Sequence, residues 1–182
     1  MNFLISVLIG LGSVVALLLI IALLVKKEFR LEKQVTINRP KQDVFNYLKL
    51  LKNQEQYSVW VMRDPNVKLT YTGTDGTVGA TSAWESNDKN VGIGEQEIKK
   101  ITDGQSVEVE IRFKKPFEAT NQALTTVSTT ADGQTTVSNT FYGKNKFPMN
   151  IMNLMMDRMV GKDMQTNLQN LKNNLEKGSG SV

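Results

Sequence analysis

The chain has 182 residues, 40% of them hydrophobic and 22% charged, with a formal net charge of +4. That length holds one domain of ordinary size plus an appendage, not two full domains. The chain has no cysteine and no histidine, which excludes disulfides, thiol nucleophiles, a histidine-based serine triad and metal sites built on thiolate or imidazole. Any acid–base chemistry falls to carboxylate, lysine, tyrosine or water, and no metal or cofactor is expected.

Residues 1–25 carry no charged side chain and are almost entirely Leu, Ile, Val, Ala and Gly. About 20 apolar helical residues cross a hydrocarbon core, so the segment reads as a transmembrane anchor. A cleaved signal peptide would need a basic start, a shorter apolar run and a small-residue cleavage site, and none of these is present. Lys26, Lys27 and Arg30 make a basic juxtamembrane segment over residues 26–30. Basic residues favour the cytoplasmic side, which predicts a single-pass protein of the inner membrane with its soluble part in the cytoplasm. The same three residues are candidates for holding anionic lipid headgroups, beside the plainer role of a stop signal.

Residues 31–177 read as one folded domain and 178–182, Gly-Ser-Gly-Ser-Val, as a flexible tail. Phe29, Leu31, Val35 and Ile37 alternate with polar residues and predict a strand. Val44, Phe45, Leu48 and Leu51 recur at helical spacing after Pro40, and a small helix or turn follows. Three Asp-Gly dipeptides, at Asp75, Asp103 and Asp132, then mark hairpin turns in a meander of six strands near 66–73, 78–86, 91–101, 105–114, 117–130 and 134–143.

Treating Asp103-Gly104 as a two-residue loop sets Glu95 opposite Arg112, Lys99 opposite Glu108, Ile98 opposite Val109 and Gly94 opposite Phe113. One face pairs charges and the other is apolar. Glu95 and Glu97 therefore read as a solvated outer face rather than a catalytic carboxylate pair. The same treatment of Asp132-Gly133 pairs Phe141 with Leu124, Asn139 with Thr126, and Val137 with Ser128. That face is predicted to point inward and carries Asn139, Thr126 and Ser128, joined by Gln96. Buried polar groups need partners. Either these four satisfy one another, or the face is inverted, or they meet water or a ligand.

After Pro148 a long helix is predicted with an imperfect stripe that includes Ile151, Leu154, Met155, Met159, Met164, Leu168, Leu171 and Leu175. Six of the eight methionines fall between Met149 and Met164. Methionine adapts to irregular apolar surfaces, which makes Met152, Met155 and Met159 candidate cavity wall beside the plainer reading of ordinary core.

A strand, a helical pair, six meandering strands and a long last helix is the order of the helix-grip fold. The sequence resembles the SRPBCC superfamily (START-related and polyketide cyclase/dehydratase-like proteins), in particular its membrane-anchored bacterial members. The likeness rests on Val35-Thr-Ile37-Asn-Arg-Pro40, Asp43-Val-Phe45-Asn-Tyr-Leu48, Trp60, Asp64-Pro65, Gly79-Ala80 with Trp84, Gly92-Ile-Gly94-Glu95 and Gly161-Lys-Asp163. Leu168-Gln-Asn-Leu171-Lys172 and Glu176 complete it. It implies an α+β fold in which a seven-stranded curved antiparallel sheet wraps the C-terminal helix around a cavity. Trp60, Trp84, Phe113, Leu124 and Phe141 join the polar four and the three methionines as candidate lining. Asn139 stands where a tryptophan is expected, so the wall is more polar than the resemblance implies.

The leading expectation is a membrane-tethered, non-catalytic domain that binds a hydrophobic or amphipathic small molecule, a lipid or a polyketide-like compound. A cyclase/dehydratase-like enzyme using a carboxylate or Tyr57, Tyr71 or Tyr142 is the second reading, with no catalytic residue assigned. The third is an accessory or stress-related subunit whose Gly10, Gly12 and Ser13 face a membrane-protein partner. Acidic residues are interleaved throughout and no basic stripe forms, so nucleic acid is not an expected partner.

Overall fold

The computed structural model describes residues 2–177, so the predicted tail at 178–182 lies outside the described residues. Helix α1 (Asn2–Leu24) leads to strand β1 (Glu28–Ile37) and helix α2 (Lys41–Leu48). A 3-10 turn, Leu51–Gln56, and the short helix α3 (Val59–Met62) precede six strands: β2 (Lys68–Thr72), β3 (Thr81–Glu85), β4 (Ile93–Thr102), β5 (Ser106–Lys115), β6 (Ala119–Thr129) and β7 (Thr135–Lys144). A second 3-10 segment, Met149–Met155, and a π turn, Asp157–Gly161, run into helix α4 (Lys162–Lys177). The strands form one antiparallel sheet in the order β1-β7-β6-β5-β4-β3-β2. This is the helix-grip architecture.

Alternation decides which face is buried. Odd residues of β1, β5, β6 and β7 and even residues of β3 and of β4 up to Ile98 turn toward α2 and α4. Ile37, Ile98, Val107, Val109, Val127 and Val137 pack there against Val44, Phe45, Leu51, Leu168 and Leu171. A second cluster joins Phe29 and Phe141 to Met164. Burying each such side chain contributes about 1.5–3 kcal/mol. Thr135, fully buried among them, donates its hydroxyl to the Arg39 carbonyl at 2.7 Å.

An open sheet leaves edge carbonyls at β1. Helix α4 covers them with side chains: Lys172 Nζ donates to the Thr36 carbonyl at 2.7 Å and Gln165 Nε2 to that of Gln34 at 3.5 Å. Asp157 pairs with Lys33 at 2.8 Å on the same edge.

The turn chemistry departs from the two-residue reading. A type I′ hairpin needs positive φ at both central positions, yet among the described residues only glycines have it, Gly76, Gly104 and Gly133 included. At β6–β7 the loop is Ala131-Asp132-Gly133, closed by Thr130 N–H to the Gln134 carbonyl at 2.9 Å. The added residue moves the register by one: Phe141 faces Ala123, Asn139 faces Thr125, and Val137 faces Val127. Leu124, Thr126 and Ser128 consequently lie on the outer face, opposite Thr140, Ser138 and Thr136.

At β4–β5 the turn also spans three residues, between Thr102 and Ser106, but a bulge at Lys99 cancels the offset. Beyond it Glu95 faces Arg112, Gly94 faces Phe113 and Ile98 faces Val109, as the charge pattern predicts. Nearer the turn Glu108 pairs with Lys100 rather than Lys99.

Helix α1 leaves nearly all of its apolar side chains exposed. From Phe3 to Leu24 every side chain is exposed except half-buried Ile21 and buried Ala22. Its apolar run of 22 residues is long enough to cross a membrane, about 33 Å at 1.5 Å per residue.

Candidate functional site

Between the concave face of the sheet and α4 lies a cavity of about 320 Å³. Its apolar wall comes from Ile111, Phe113 and Val109 on β5, Phe141 on β7, Leu69 on β2, and Val160, Met164 and Leu168 on the helical side. Among the described residues no aspartate, glutamate, lysine or arginine lines it. A larger hollow of about 440 Å³ lies elsewhere, lined by Arg63, Asp64, Lys68, Glu85 and Asp88 among others. It is a charged surface depression, unsuited to an apolar guest.

The aromatic side of the cavity depends on one glycine. Trp84 on β3 sits opposite Gly94 on β4, and a Cβ at Gly94 would collide with the indole ring and with the Arg112 carbonyl. Without that Cβ the indole crosses β4 and meets Phe113 of β5 edge-on, at 5.8 Å between centroids. Its Nε1 donates to the Val91 carbonyl at 3.2 Å, which satisfies the buried N–H.

The polar residues come in neutral pairs. Gln96 Nε2 donates to Gln54 Oε1 at 2.7 Å, and Gln96 Oε1 accepts a longer bond of 3.4 Å from Gln54 Nε2. Asn139 Nδ2 donates to Thr125 Oγ1 at 2.8 Å. A primary amide has two N–H donors and an oxygen that accepts twice, so each pair keeps unspent capacity, including the Asn139 oxygen and the Thr125 hydroxyl proton. Gln54 is placed by a cap supplied from a distant loop: the Asp75 carboxylate accepts from Leu51 N–H at 2.7 Å and Lys52 N–H at 3.1 Å. Asn167 of α4 is spent internally, accepting from Val59 N–H at 2.7 Å.

The ionisable groups of the lining are two phenols. Burial holds the Tyr57 hydroxyl far above its ordinary value. Tyr71 is raised as well, by burial first and then by its 2.7 Å bond to Glu55. Both stay protonated, so they are hydrogen-bond donors and poor bases. Tyr142 lies on the outer face, where its 2.8 Å bond to Glu108 is the leading cause that raises it.

Of the residues singled out from the sequence, Trp60, Trp84, Gln96, Phe113, Asn139 and Phe141 line the cavity. Leu124, Thr126 and Ser128 do not, because the one-residue offset puts them outside. Met152, Met155 and Met159 do not either, because the chain before α4 is wound as 3-10 and π turns instead of one continuous α-helix. Met164, beyond the π turn, is the methionine that reaches the lining. Gln54, Tyr57, Ser82 and Thr125 also face the space. Thr125 follows from the correct register, while nothing local in the sequence marks Gln54.

Lys26 and Lys27 are exposed just beyond the end of α1, and Arg30 is exposed on β1. Arg30 is engaged on the outer sheet face, 3.7 Å from Glu32 and 6.0 Å from the Tyr142 ring centre.

Residues 28–176 match the family described as polyketide cyclase / dehydrase and lipid transport. The chain belongs to this family. Among solved structures it is similar to Ms6760 from Mycobacterium smegmatis, with 16% identity and a TM-score of 0.57 over 82% of this chain and 92% of that one. The di-domain ARO/CYC StfQ from the steffimycin biosynthetic pathway is 12% identical with a TM-score of 0.62, over 84% of this chain and 52% of that one. The Aha1 dimer from Colwellia psychrerythraea is 17% identical with a TM-score of 0.54, over 83% and 98%. No curated protein matches the sequence. At these identities the likeness is one of fold, and a fold shared by such different proteins supplies a cavity, not a reaction.

Proposed function

We propose that the protein is a membrane-anchored binding domain that holds one amphipathic small molecule, of the lipid or polyketide-like class, and performs no reaction on it. The observation that carries this reading is the lining itself: an apolar wall, two neutral amide-containing pairs with spare capacity, and phenols held protonated. Apolar burial at about 25 cal/mol per Å² supplies affinity, while the Gln54–Gln96 and Thr125–Asn139 pairs orient an uncharged polar head. At about 320 Å³ the space stands at the low end of ligand pockets, roughly 300–1,000 Å³. That suits a ring system or a single short chain better than a two-chain lipid. Helix α1 spans the membrane, and Lys26 and Lys27 keep the domain on the cytoplasmic side, close to where such ligands partition.

Both tryptophans of the chain, Trp60 and Trp84, line the cavity, so intrinsic fluorescence reports on it directly. Purified protein titrated with single-chain alcohols, amides and aromatic polyketides is expected to show a saturable change in emission and a one-to-one adduct in native mass spectrometry. Unchanged emission and an empty domain after exposure to a whole lipid extract overturn the reading. Turnover of a bound polyketide overturns the non-catalytic part alone.

A further inference from the structure

We infer that the 3-10 segment Met149–Met155 is a membrane-contacting element that seats the domain on the bilayer in a fixed orientation. The inference rests on the reading of α1 as a spanning helix. Its starting point is a clasp. Asn150, 1% exposed, donates both amide protons to the last turn of α1, to the Ala22 carbonyl at 2.6 Å and the Val25 carbonyl at 2.7 Å. Asn153 donates to the Lys26 carbonyl at 2.8 Å and the Lys27 carbonyl at 3.0 Å. Helix ends leave carbonyls without intrahelical partners, and where water is scarce each such group is costly. The two asparagines supply those partners from the domain. The amide oxygen of Asn150 is left buried without a partner, so the side chain is committed to the carbonyls of α1.

A 3-10 helix repeats after about three residues, so Asn150 and Asn153 share one face. Met149, Met152 and Met155 make a second row, and Ile151 and Leu154 a third. Met149, Leu154 and Met155 are each at least half exposed. Among described residues beyond α1, eight large apolar side chains are exposed, and Phe147, Met149, Leu154, Met155 and Met159 make five of the eight. Three of the eight lie on the segment bonded to the end of the spanning helix, and Phe147 and Met159 flank it on either side. A patch of this kind marks an interaction site, and its position selects the occupant: the headgroup region in which α1 ends. Exposed Lys26 and Lys27 stand at the same place and complement anionic lipid, while flexible methionine side chains adapt to a fluid surface.

The chain has no cysteine, so single labels can be placed without removing any. Full-length protein is reconstituted in vesicles of phosphatidylcholine and phosphatidylglycerol, with an environment-sensitive fluorophore on Leu154→Cys, Met155→Cys, Leu11→Cys or Val78→Cys. The labels at 154 and 155 are expected to emit to the blue and to be quenched by nitroxides on the lipid chains. Val78, 61% exposed in the β2–β3 turn at the opposite end of the sheet, is expected to report water. A lipid-buried label at 11 with aqueous labels at 154 and 155 overturns the seating and leaves the anchor standing. Aqueous labels at all four positions overturn the anchor and the seating together. In Asn150→Ala carrying the label at 154, quenching by lipid nitroxides is expected to fall; unchanged quenching removes the clasp from the account. Circular dichroism and near-native tryptophan emission check that each variant is folded.

Discussion

On the outer face of β4 and β5, Arg112 bonds Glu95 at 2.8 Å, Glu97 at 2.9 Å and Glu110, and Lys99 and Lys114 close the cluster. On the inner face of the same two strands stands Gln96, paired with Gln54, and among the described residues no charged side chain lines the cavity beyond. The two faces satisfy polar groups by opposite means. Water beside the outer cluster lowers the cost of charge, so ion pairs form freely and contribute little. Within the cavity a charge would have to shed its hydration, and only neutral groups that bond one another are tolerated. A neutral pair still has donors and acceptors to offer a guest, which a saturated ion cluster does not.

Moving a carboxylate across the sheet attacks this contrast most directly. Gln96→Glu changes little in shape but places an ionisable group among Phe113, Trp84 and Ile111. Burial raises a carboxyl above its unfolded value of about 4.3. The variant is expected to match the parent below that pH and to lose stability as pH rises toward the folded value, by about 2–4 kcal/mol at neutrality. Urea unfolding at pH 4 and pH 7 measures it; equal losses at both would show that the site is wet.

Removing the centre of the outer cluster has a smaller effect, which also grows with pH but through carboxylates held low instead of one pushed up. Lys99 and Arg112 hold Glu97 below its usual range, and Arg112 first and Lys114 after it do the same for Glu95. Depressed carboxylates stabilise the fold above about pH 4.3, and that stabilisation is lost as pH falls through their folded values. Arg112→Met is expected to cost about 0.5–1 kcal/mol at pH 7 in low salt and progressively less on acidification or in high salt. A pH-independent loss would assign the effect to packing of the arginine stem.

The mildest variants test which residues belong to which face. Thr126→Val and Ser128→Ala are expected to stay within about 0.5 kcal/mol of the parent and to leave ligand titrations unchanged. Thr125→Val, one position away, leaves the Asn139 amide without its partner and is expected to weaken binding of ligands with a polar head. Equal titrations for Thr125→Val and Thr126→Val would place the polar end of the guest elsewhere.

The strands are legible from alternation and the Asp-Gly turns, and the β4–β5 register beyond the bulge at Lys99 is legible because charges on facing residues either match or clash. The β6–β7 register is not, because Thr, Ser and Asn alternate on both faces of that pair and offer no such check. One residue of turn length, set by aspartates that keep negative φ, then moves Leu124, Thr126 and Ser128 from wall to exterior. The methionines mislead for a related reason: helical spacing assumes 3.6 residues per turn, and neither the 3-10 segment nor the π turn keeps it. Gln54 reaches the cavity through a cap from Asp75, a contact between segments 24 residues apart that no local pattern encodes.

The clasp at the end of α1 also has a mechanical meaning. β1 is an edge strand, and Glu28 at its start pairs with Lys144 at the end of β7. A pull on the anchor would enter this ladder at its terminus and peel it one pair at a time, the geometry in which a sheet resists least. Asn150 and Asn153 grip the chain just upstream, at Ala22, Val25, Lys26 and Lys27, and take the load into the segment leading to α4. A pull applied through α1 would thus be diverted past the sheet edge before it reached the strands that wall the cavity.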